Sequence, residues 1–367
     1  MLYIIIICLI LIICLSYYLN QIYFEKFDNT STDIRILAKN KLKLYNPDEY
    51  NKYLNIYFKD VIHTNLSDIK IKNDNKIFVS IASYRDIQCS YTLQNIINMA
   101  KNPSNLVIAI FQQNDSSDKE CVFDSIDLKG STIKIIKCSN VEARGPCWAR
   151  FILQQLWSGE EYFLQIDSHT RFVQDWDKLS IAELNKSPNI KTCLTNYVSL
   201  YNLQTGTCDN NPLRNSLYIA EIDQDDGFFR YNSHFVDFIE KLPISKGWSG
   251  CFSFSRSNIL HDAPYDPYTP FLFFGEEMDI HARLFTRGWD VYAPTIPICF
   301  TVFDRSYRHT FWEHPDQQNV SYLSKLRLYY RFGLIKDGVP KEVLKDMDKY
   351  SLGNEKTFEE FMTFCLS

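Results

Sequence analysis

EYFLQIDSHTRF, residues Glu161 to Phe172, begins as an apolar run and ends on a carboxylate, a hydroxyl, an imidazole and a guanidinium. Its first half, EYFLQID, has the near-continuous apolar character of a strand buried on both faces. Asp167 and His169 are two positions apart, so on extended backbone their side chains project to the same side. A carboxylate oxygen and an imidazole nitrogen converging in this way form a donor pair for a divalent cation such as Mn2+ or Mg2+. The plainer reading has Asp167 capping the next turn and His169 bonding locally. Ser168 reads as a small spacer facing the other way, with Arg171 and Phe172 supporting the turn.

The surroundings decide which reading holds. KIFVSIASY (76–84), NLVIAIFQQN (105–114) and STIKIIKCS (131–139) are further strand candidates. Between them, TLQNIINMAKN (92–102) has helical spacing, and ARGPCWARFILQQLW (143–157) is helical after Pro146, a residue suited to a first turn. Strands alternating with helices predict a parallel α/β sheet. In such sheets ligands sit beyond the carboxyl ends of the strands. Tyr84–Arg85–Asp86, Gln112–Gln113–Asn114 and Asp167–His169 all fall at strand ends, so three polar clusters gather on one edge.

The second half of the chain is mixed. KTCLTNYVSLY (191–201) alternates like a strand, 202–246 has weak periodicity and reads as loop, and GWSGCFSFSRS (247–257) reads as a strand with a glycine-containing entry. GEEMDIHARLFTRGW (275–289) is a helix with acidic residues in its first turn. DVYAPTIPICFTVF (290–303) is an extended run broken by prolines.

Composition sets outer limits. The 367 residues are 46% hydrophobic and 15% aromatic, enough to bury a large core, which excludes general disorder. A net charge of -5 gives no basic excess and disfavours nucleic acid as a partner. Met1 to Phe24 carry no charged side chain, and LYIIIICLILIICLSYYL is 18 residues long, near the ~20 needed to cross a bilayer as a helix. A cleavable signal peptide would need a basic start and a small-residue cleavage site. The expectation is a single-pass membrane protein: an anchor at 1–24, a stem or linker at 25–75, a main domain at 76–335 and a tail at 336–367.

The side of the membrane stays open. Lys26, Arg35, Lys39, Lys41 and Lys43 follow the apolar run, which votes for a cytosolic domain. Sequons at Asn29, Asn65, Asn114, Asn185 and Asn319 suit an ER- or Golgi-type lumen. Cys8 and Cys14 lie inside the apolar run, and the other nine of the 11 cysteines form no CxxC. That argues against structural zinc; one or two disulfides would accompany a lumenal location.

Three more features can carry chemistry. Arg144 and Arg150 bracket a helix start, and guanidinium forks pair well with phosphate. Glu276 and Glu277 open a helix after the apolar PFLFFG and could orient a hydroxyl or act as a base; the plainer reading is first-turn stabilisation. Trp248, Trp289 and Trp312 could stack on a sugar or base, or simply fill the core.

VSIASYRD (79–86), ARGPCWAR (143–150), YFLQIDSHTRF (162–172), WD (176–177), PYDPYTPFLFFGEE (264–277) and TRGWDVYAPT (286–295) together resemble one glycosyltransferase family. It is the family of the cytoplasmic hydroxyproline-linked N-acetylglucosaminyltransferase that modifies a ubiquitin-ligase adaptor. The chain is also distantly similar to the polypeptide N-acetylgalactosaminyltransferases. The resemblance spans about residues 76–315.

It implies a GT-A fold with a central mixed, mostly parallel sheet. It also implies a UDP-sugar donor, most often UDP-N-acetylglucosamine, a divalent metal (Mn2+ or Mg2+) and retention at the anomeric carbon. Asp167 and His169 then correspond to the metal-binding Asp-x-His. Ser83, Tyr84, Arg85 and Asp86 correspond to the loop that cradles uridine. Arg144 and Arg150 would support the nucleotide or donor sugar, Ser249 and Gly250 would lie beside the sugar, and Glu277, with Glu276, would stand near the reacting centre.

One position departs. Where the family places a third metal-binding His, this chain has Thr301, with His309 and His314 a little further on. The expected function is transfer of N-acetylglucosamine or a similar sugar to a hydroxyl of a protein or glycan acceptor. The alternative is a degenerate relative that binds a sugar nucleotide or glycan without turnover. A metal-dependent phosphodiesterase on the same pair would need more ligands than a chain with seven His offers.

Overall fold

The computed structural model describes residues 34–123, 126–208, 215–236 and 240–367. The expected anchor, 1–24, lies outside the described residues. No described helix is long and apolar enough to cross a membrane.

The strands are β1 (Ile77–Tyr84), β2 (Leu106–Asn114), β3 (Thr132–Ser139), β4 (Tyr162–Asp167), β5 (Thr170–Phe172), β6 (Thr192–Leu194), β7 (Ser199–Leu200), β8 (Asn215–Ile222), β9 (Phe229–Val236), β10 (Phe252–Arg256), β11 (Asp290–Tyr292) and β12 (Cys299–Thr301). Seven of them form one sheet in the order β11-β6-β10-β4-β1-β2-β3. β4, β1, β2 and β3 run parallel, β10 is antiparallel to both β4 and β6, and β11 is parallel to β6. The expected mixed, mostly parallel sheet is therefore present.

The continuous apolar runs follow from burial on two faces. In β1, Phe78 belongs to one apolar cluster, with Phe163, Phe111 and the helix Pro146–Gln154; Ile77, Val79 and Ile81 belong to the other, with Ile108, Ile166 and the helix Gln88–Met99. Side chains alternate across a strand, so an apolar residue is needed at every position, and each fully buried one contributes ~1.5–3 kcal/mol. β3 lies at the sheet edge and carries Lys134 and Lys137, charges that discourage edge pairing.

The parallel register sets Ala82 beside Asp167, and Ser83 and Tyr84 beside Gln112 and Gln113. The three polar strand ends therefore share one edge, as the sequence predicts.

Elsewhere the structure departs from the sequence reading. KTCLTNYVSLY splits between two sheets: β6 joins the main sheet, while β7 joins a three-stranded sheet of order β5-β12-β7. Residues 202–246 are not all loop, because β8 and β9 pair as an antiparallel hairpin. The stretch read as stem is described from residue 34, and Ile34, Ala38, Tyr53, Leu54 and Phe58 are buried in the main core. The tail ends in the helix Phe358–Leu366, whose Thr357–Glu360 capping box starts it and whose Phe361 packs on Phe229. A disulfide joins Cys89 to Cys121 across a Cα separation of 5.1 Å.

Candidate active site

A cavity of about 320 Å³ opens at the shared strand edge. Asp167 and His169 line it with Tyr84, Arg150, Ser249, Gly250, Glu276 and Glu277. β4 ends at Asp167 and β5 begins at Thr170, so a tight corner presents the Asp-Ser-His triplet.

Asp86 organises this corner. Its Oδ2 lies 2.7 Å from His169 Nδ1 and accepts a hydrogen bond from Ser168 Oγ at 2.7 Å. Ser168 is thus a donor to Asp86, and the spacer reading is corrected. Burial pushes the Asp86 carboxyl up, but the His169 hydrogen bond and charge, with Arg308 and Ser168, outweigh it and hold the group at about 2. Ionised Asp86 fixes the proton on His169 Nδ1 and leaves Nε2 as the open donor atom. Nε2 faces Asp167 Oδ2 at 3.7 Å. The sequence reading put Asp86 in a uridine cradle; in the structure it is the buried support of His169.

Arg150 holds the other side of Asp167. Its Nη2 donates to Asp167 Oδ1 at 2.9 Å and to the Gly250 carbonyl at 3.1 Å, while Nη1 pairs with Glu276 Oε1. Burial would lower its pKa, but Glu276, Tyr265 and Asp167 hold it well above the usual range. Tyr265 donates to the same Glu276 oxygen at 2.5 Å. A Cβ at Gly250 would lie 2.6 Å from Arg150 Nη1, so only glycine lets the guanidinium pass. Arg150 and Glu276 therefore brace the site.

Gly145 seats the helix that carries Arg150. It has φ 83°, and a Cβ there would come within 2.7 Å of Phe271 Cα. That contact clamps the FLFFG segment to the helix start and sets Glu276 and Glu277 opposite Asp167. Glu277 Oε1 accepts from Ser249 Oγ at 3.0 Å and from the Gly250 amide at 3.2 Å. Burial first, then the charge of Glu276, pushes Glu277 up to about 7.

The remaining candidates lie off the cavity wall. Ser83 is buried, with its carbonyl accepting from Gln113 Nε2 at 3.4 Å. Arg85 has φ 48° and pairs with Asp118 at 2.8 Å. Arg144 lies over the rings of Tyr57 and Trp148, 5.6 and 5.3 Å from their centroids. Thr301, set opposite Thr170 by the β5–β12 pairing, points its hydroxyl at the His169 carbonyl, 3.3 Å away, and is fully buried. His309 pairs with Glu313 at 2.8 Å and His314 faces the Val141 carbonyl at 3.3 Å, so neither takes the third ligand's place at the wall.

Sequence reasoning passed over two other groups on the wall. Arg305 and Arg308 come from the loop after β12, and Tyr218 and Tyr231 come from the β8–β9 hairpin. The only available signal for the arginines was their closeness to Thr301; a weakly periodic stretch gave none for the tyrosines.

The Asp167 and His169 atoms fit two donors to a divalent ion: one carboxylate oxygen and the locked Nε2 face each other, and each side chain is held from behind. No group of three or more His, Cys, Asp or Glu among the described residues forms a metal cage.

The structure is similar to that of GalNAc-T7 with UDP, GalNAc and Mn2+, at a TM-score of 0.53 and 14% identity over 79% of this chain and 56% of that one. The chain thus spans just over half of that protein's length, and the likeness establishes a GT-A fold. A mannosyltransferase, PcManGT from Pyrobaculum calidifontis in complex with GDP-Man and Mn2+, superposes at a TM-score of 0.38 and 10% identity, over 92% of this chain and 81% of that one. Among curated proteins, none matches. The family profile described as glycosyltransferase (GlcNAc) matches residues 76–131 and 124–366, most of the chain. With its motifs assembled around one GT-A cavity, the chain belongs to the GlcNAc glycosyltransferase family.

Proposed function

We propose that the chain transfers N-acetylglucosamine, or a closely similar sugar, from a UDP-sugar to a hydroxyl of a protein or glycan, with retention. The observation that carries this is one cavity holding a two-donor corner, Asp167 with His169, facing Glu277, a carboxyl pushed up to about 7. A divalent ion (Mn2+ or Mg2+) at Asp167 and His169 supplies charge neutralisation for the leaving diphosphate when bound. The protein's own residues do the rest. Asp86 fixes the histidine tautomer, Arg150 fixes Asp167, and Tyr84 stands at the strand end expected to receive uridine. Ser249 and Gly250 hold Glu277, whose carboxyl near neutrality can accept a hydrogen bond from a sugar or acceptor hydroxyl and orient it.

The test uses full-length protein in detergent, incubated with a panel of UDP-sugars, with Mn2+ and with EDTA. Metal-stimulated UDP release from UDP-N-acetylglucosamine, and a sugar-sized mass gain on a hydroxyproline, Ser or Thr peptide or on a glycan, are expected. Silence with every donor would defeat the reading. The buried Thr301 favours one second reading, a UDP-sugar-binding relative without turnover; UDP binding with no release from any donor would establish it.

The anchor at 1–24 is retained in this reading, with the catalytic domain in an oxidising lumen. The Cys89–Cys121 disulfide supports that side, as do exposed sequon residues Asn65 and Asn185. Glycosidase-sensitive mobility of the expressed protein is expected; absence of N-glycans together with reduced Cys89 and Cys121 would place the domain in the cytosol.

A further inference from the structure

Two buried phenol hydroxyls on the cavity wall stand without a partner among the described residues. Tyr218 on β8 is 3% exposed and Tyr231 on β9 is half-buried; both line the cavity, and the hydroxyl of each is buried and makes no hydrogen bond. Ser249 stands beside Tyr218 at the edge of reach, but its hydroxyl donates to Glu277 Oε1 at 3.0 Å. Burial first, with Glu277 among the neighbouring charges, pushes both phenols well above their ordinary range. Both therefore keep their protons and can donate.

An unpaired buried hydroxyl is costly, so two side by side at a cavity mark the place of a ligand that accepts from them. Their placement is fixed. Tyr218 pairs with Ser233 in the β8–β9 register, which makes Tyr231 its diagonal neighbour on the same face, with ring centroids 5.3 Å apart. Both rings lie against Gly247. Tyr197 meets Tyr218 edge-on at 5.9 Å and Phe229 meets Tyr231 edge-on at 5.9 Å, and these two rings also line the cavity. The wall thus sets two donors in an aromatic surround.

That combination selects among sugar substituents. A plain hydroxyl would use the donors and leave the ring faces uncovered. A carboxylate would meet Glu276 and Glu277 on the same wall. An acetamido group suits both features: its carbonyl oxygen has two lone pairs for the two phenols, and its methyl packs on the rings. In an N-acetylated sugar this group stands next to the anomeric carbon, which the donor reading sets between the Asp167–His169 corner and Glu277.

Resting on that donor reading, we propose that Tyr218 and Tyr231 bind the acetamido group of the donor sugar and set the preference for an N-acetylated sugar over a 2-hydroxy one. The β8–β9 hairpin is then the specificity element of the site. A pocket built to hydrogen-bond this group rejects a donor that lacks it, because the phenols are left unpaired.

Calorimetric titration of UDP, UDP-glucose and UDP-N-acetylglucosamine into the full-length protein with Mn2+, without acceptor, tests this. The wild type is expected to bind UDP-N-acetylglucosamine at least about tenfold more tightly than UDP-glucose. Y218F/Y231F should bring the two sugars within about threefold of each other, with each single variant in between and with affinity for UDP and UDP-glucose unchanged. The melting temperature of the double variant should hold or rise, because two unpaired buried hydroxyls are removed. Equal wild-type affinity for the two sugars, a preference that survives in the double variant, or a loss shared by UDP-glucose would overturn the assignment. So would a marked fall in melting temperature, which would show the hydroxyls serving the fold. Failure of the wild type to bind UDP or either sugar nucleotide would instead overturn the donor reading itself.

Discussion

Two ion clusters flank the helix Glu276–Phe285, and they are built to different ends. Behind the helix, Asp266 is engaged by Arg327 at 2.6 Å and by Arg331, and Asp279 is engaged by Arg331 at 2.5 Å. Arg327 also donates to the Val343 carbonyl at 2.5 Å. Asp266 and both arginines are buried, and each carboxylate meets a guanidinium. In front of the helix, Asp167 spends one oxygen on Arg150 and turns the other toward His169 Nε2, while Glu277 is held through one oxygen by Ser249 and Gly250. The rear cluster sets each carboxylate against a guanidinium away from the cavity and ties the chain's last third to the core. The front cluster is braced on its outer side and left open toward a cavity. The difference separates residues kept for the fold from residues kept for chemistry.

The sharpest way to break that comparison is to neutralise one carboxylate in each cluster. Asp167→Asn should lower sugar-transfer rate on the order of a thousandfold, because it removes an anionic donor from the metal corner. The melting temperature should move little. Asp266→Asn should do the reverse. It leaves two buried guanidinium groups short of charge and should cost about 3–5 kcal/mol in urea unfolding, with per-molecule activity of the remaining folded protein near normal. If Asp167→Asn proves the more destabilising of the two, the division fails.

A finer cut tests the support of the open cluster. Asp86→Asn keeps the shape but removes the charge that fixes the His169 tautomer. Mn2+ affinity, read by electron paramagnetic resonance, should fall ~10–100-fold, the usual effect of losing such a partner. Unchanged Mn2+ affinity would mean that His169 is not a ligand.

How much of this was legible in the sequence follows from the same contrast. β1, β2 and β4 were readable because their apolar runs report burial directly, and β3 because its partial alternation suits a half-exposed edge strand. The Asp167–His169 pairing was readable because extended backbone fixes which side chains point together. The support was not. Asp86 acts through a residue 83 positions away, and Arg150 reaches Glu276 across 126; no local spacing encodes either contact. Alternation in 191–201 was real, yet β6 and β7 satisfy it in different sheets. The hairpin tyrosines and the arginines after β12 became site residues only through tertiary placement.

The last prediction concerns Glu277, the carboxyl of the open cluster whose pKa is raised. Glu277 ordinarily titrates near 4.5 and is pushed up to about 7 in the fold by burial and by Glu276. Between those values the folded protein holds a proton that the unfolded chain has released. Folding stability therefore falls as pH rises from about 4.5 to about 7 and levels off above, by at most about 3 kcal/mol for this group. Glu277→Gln cannot ionise, so its stability relative to wild type should climb through that window and stay constant beyond it. Urea unfolding of both proteins at pH 5 and at pH 7.5, without nucleotide, reads the difference. A gap that does not change with pH would mean that Glu277 is already ionised in the folded protein at pH 5. The open cluster would then bear a permanent negative charge, with no carboxyl poised near neutrality to respond when a hydroxyl arrives.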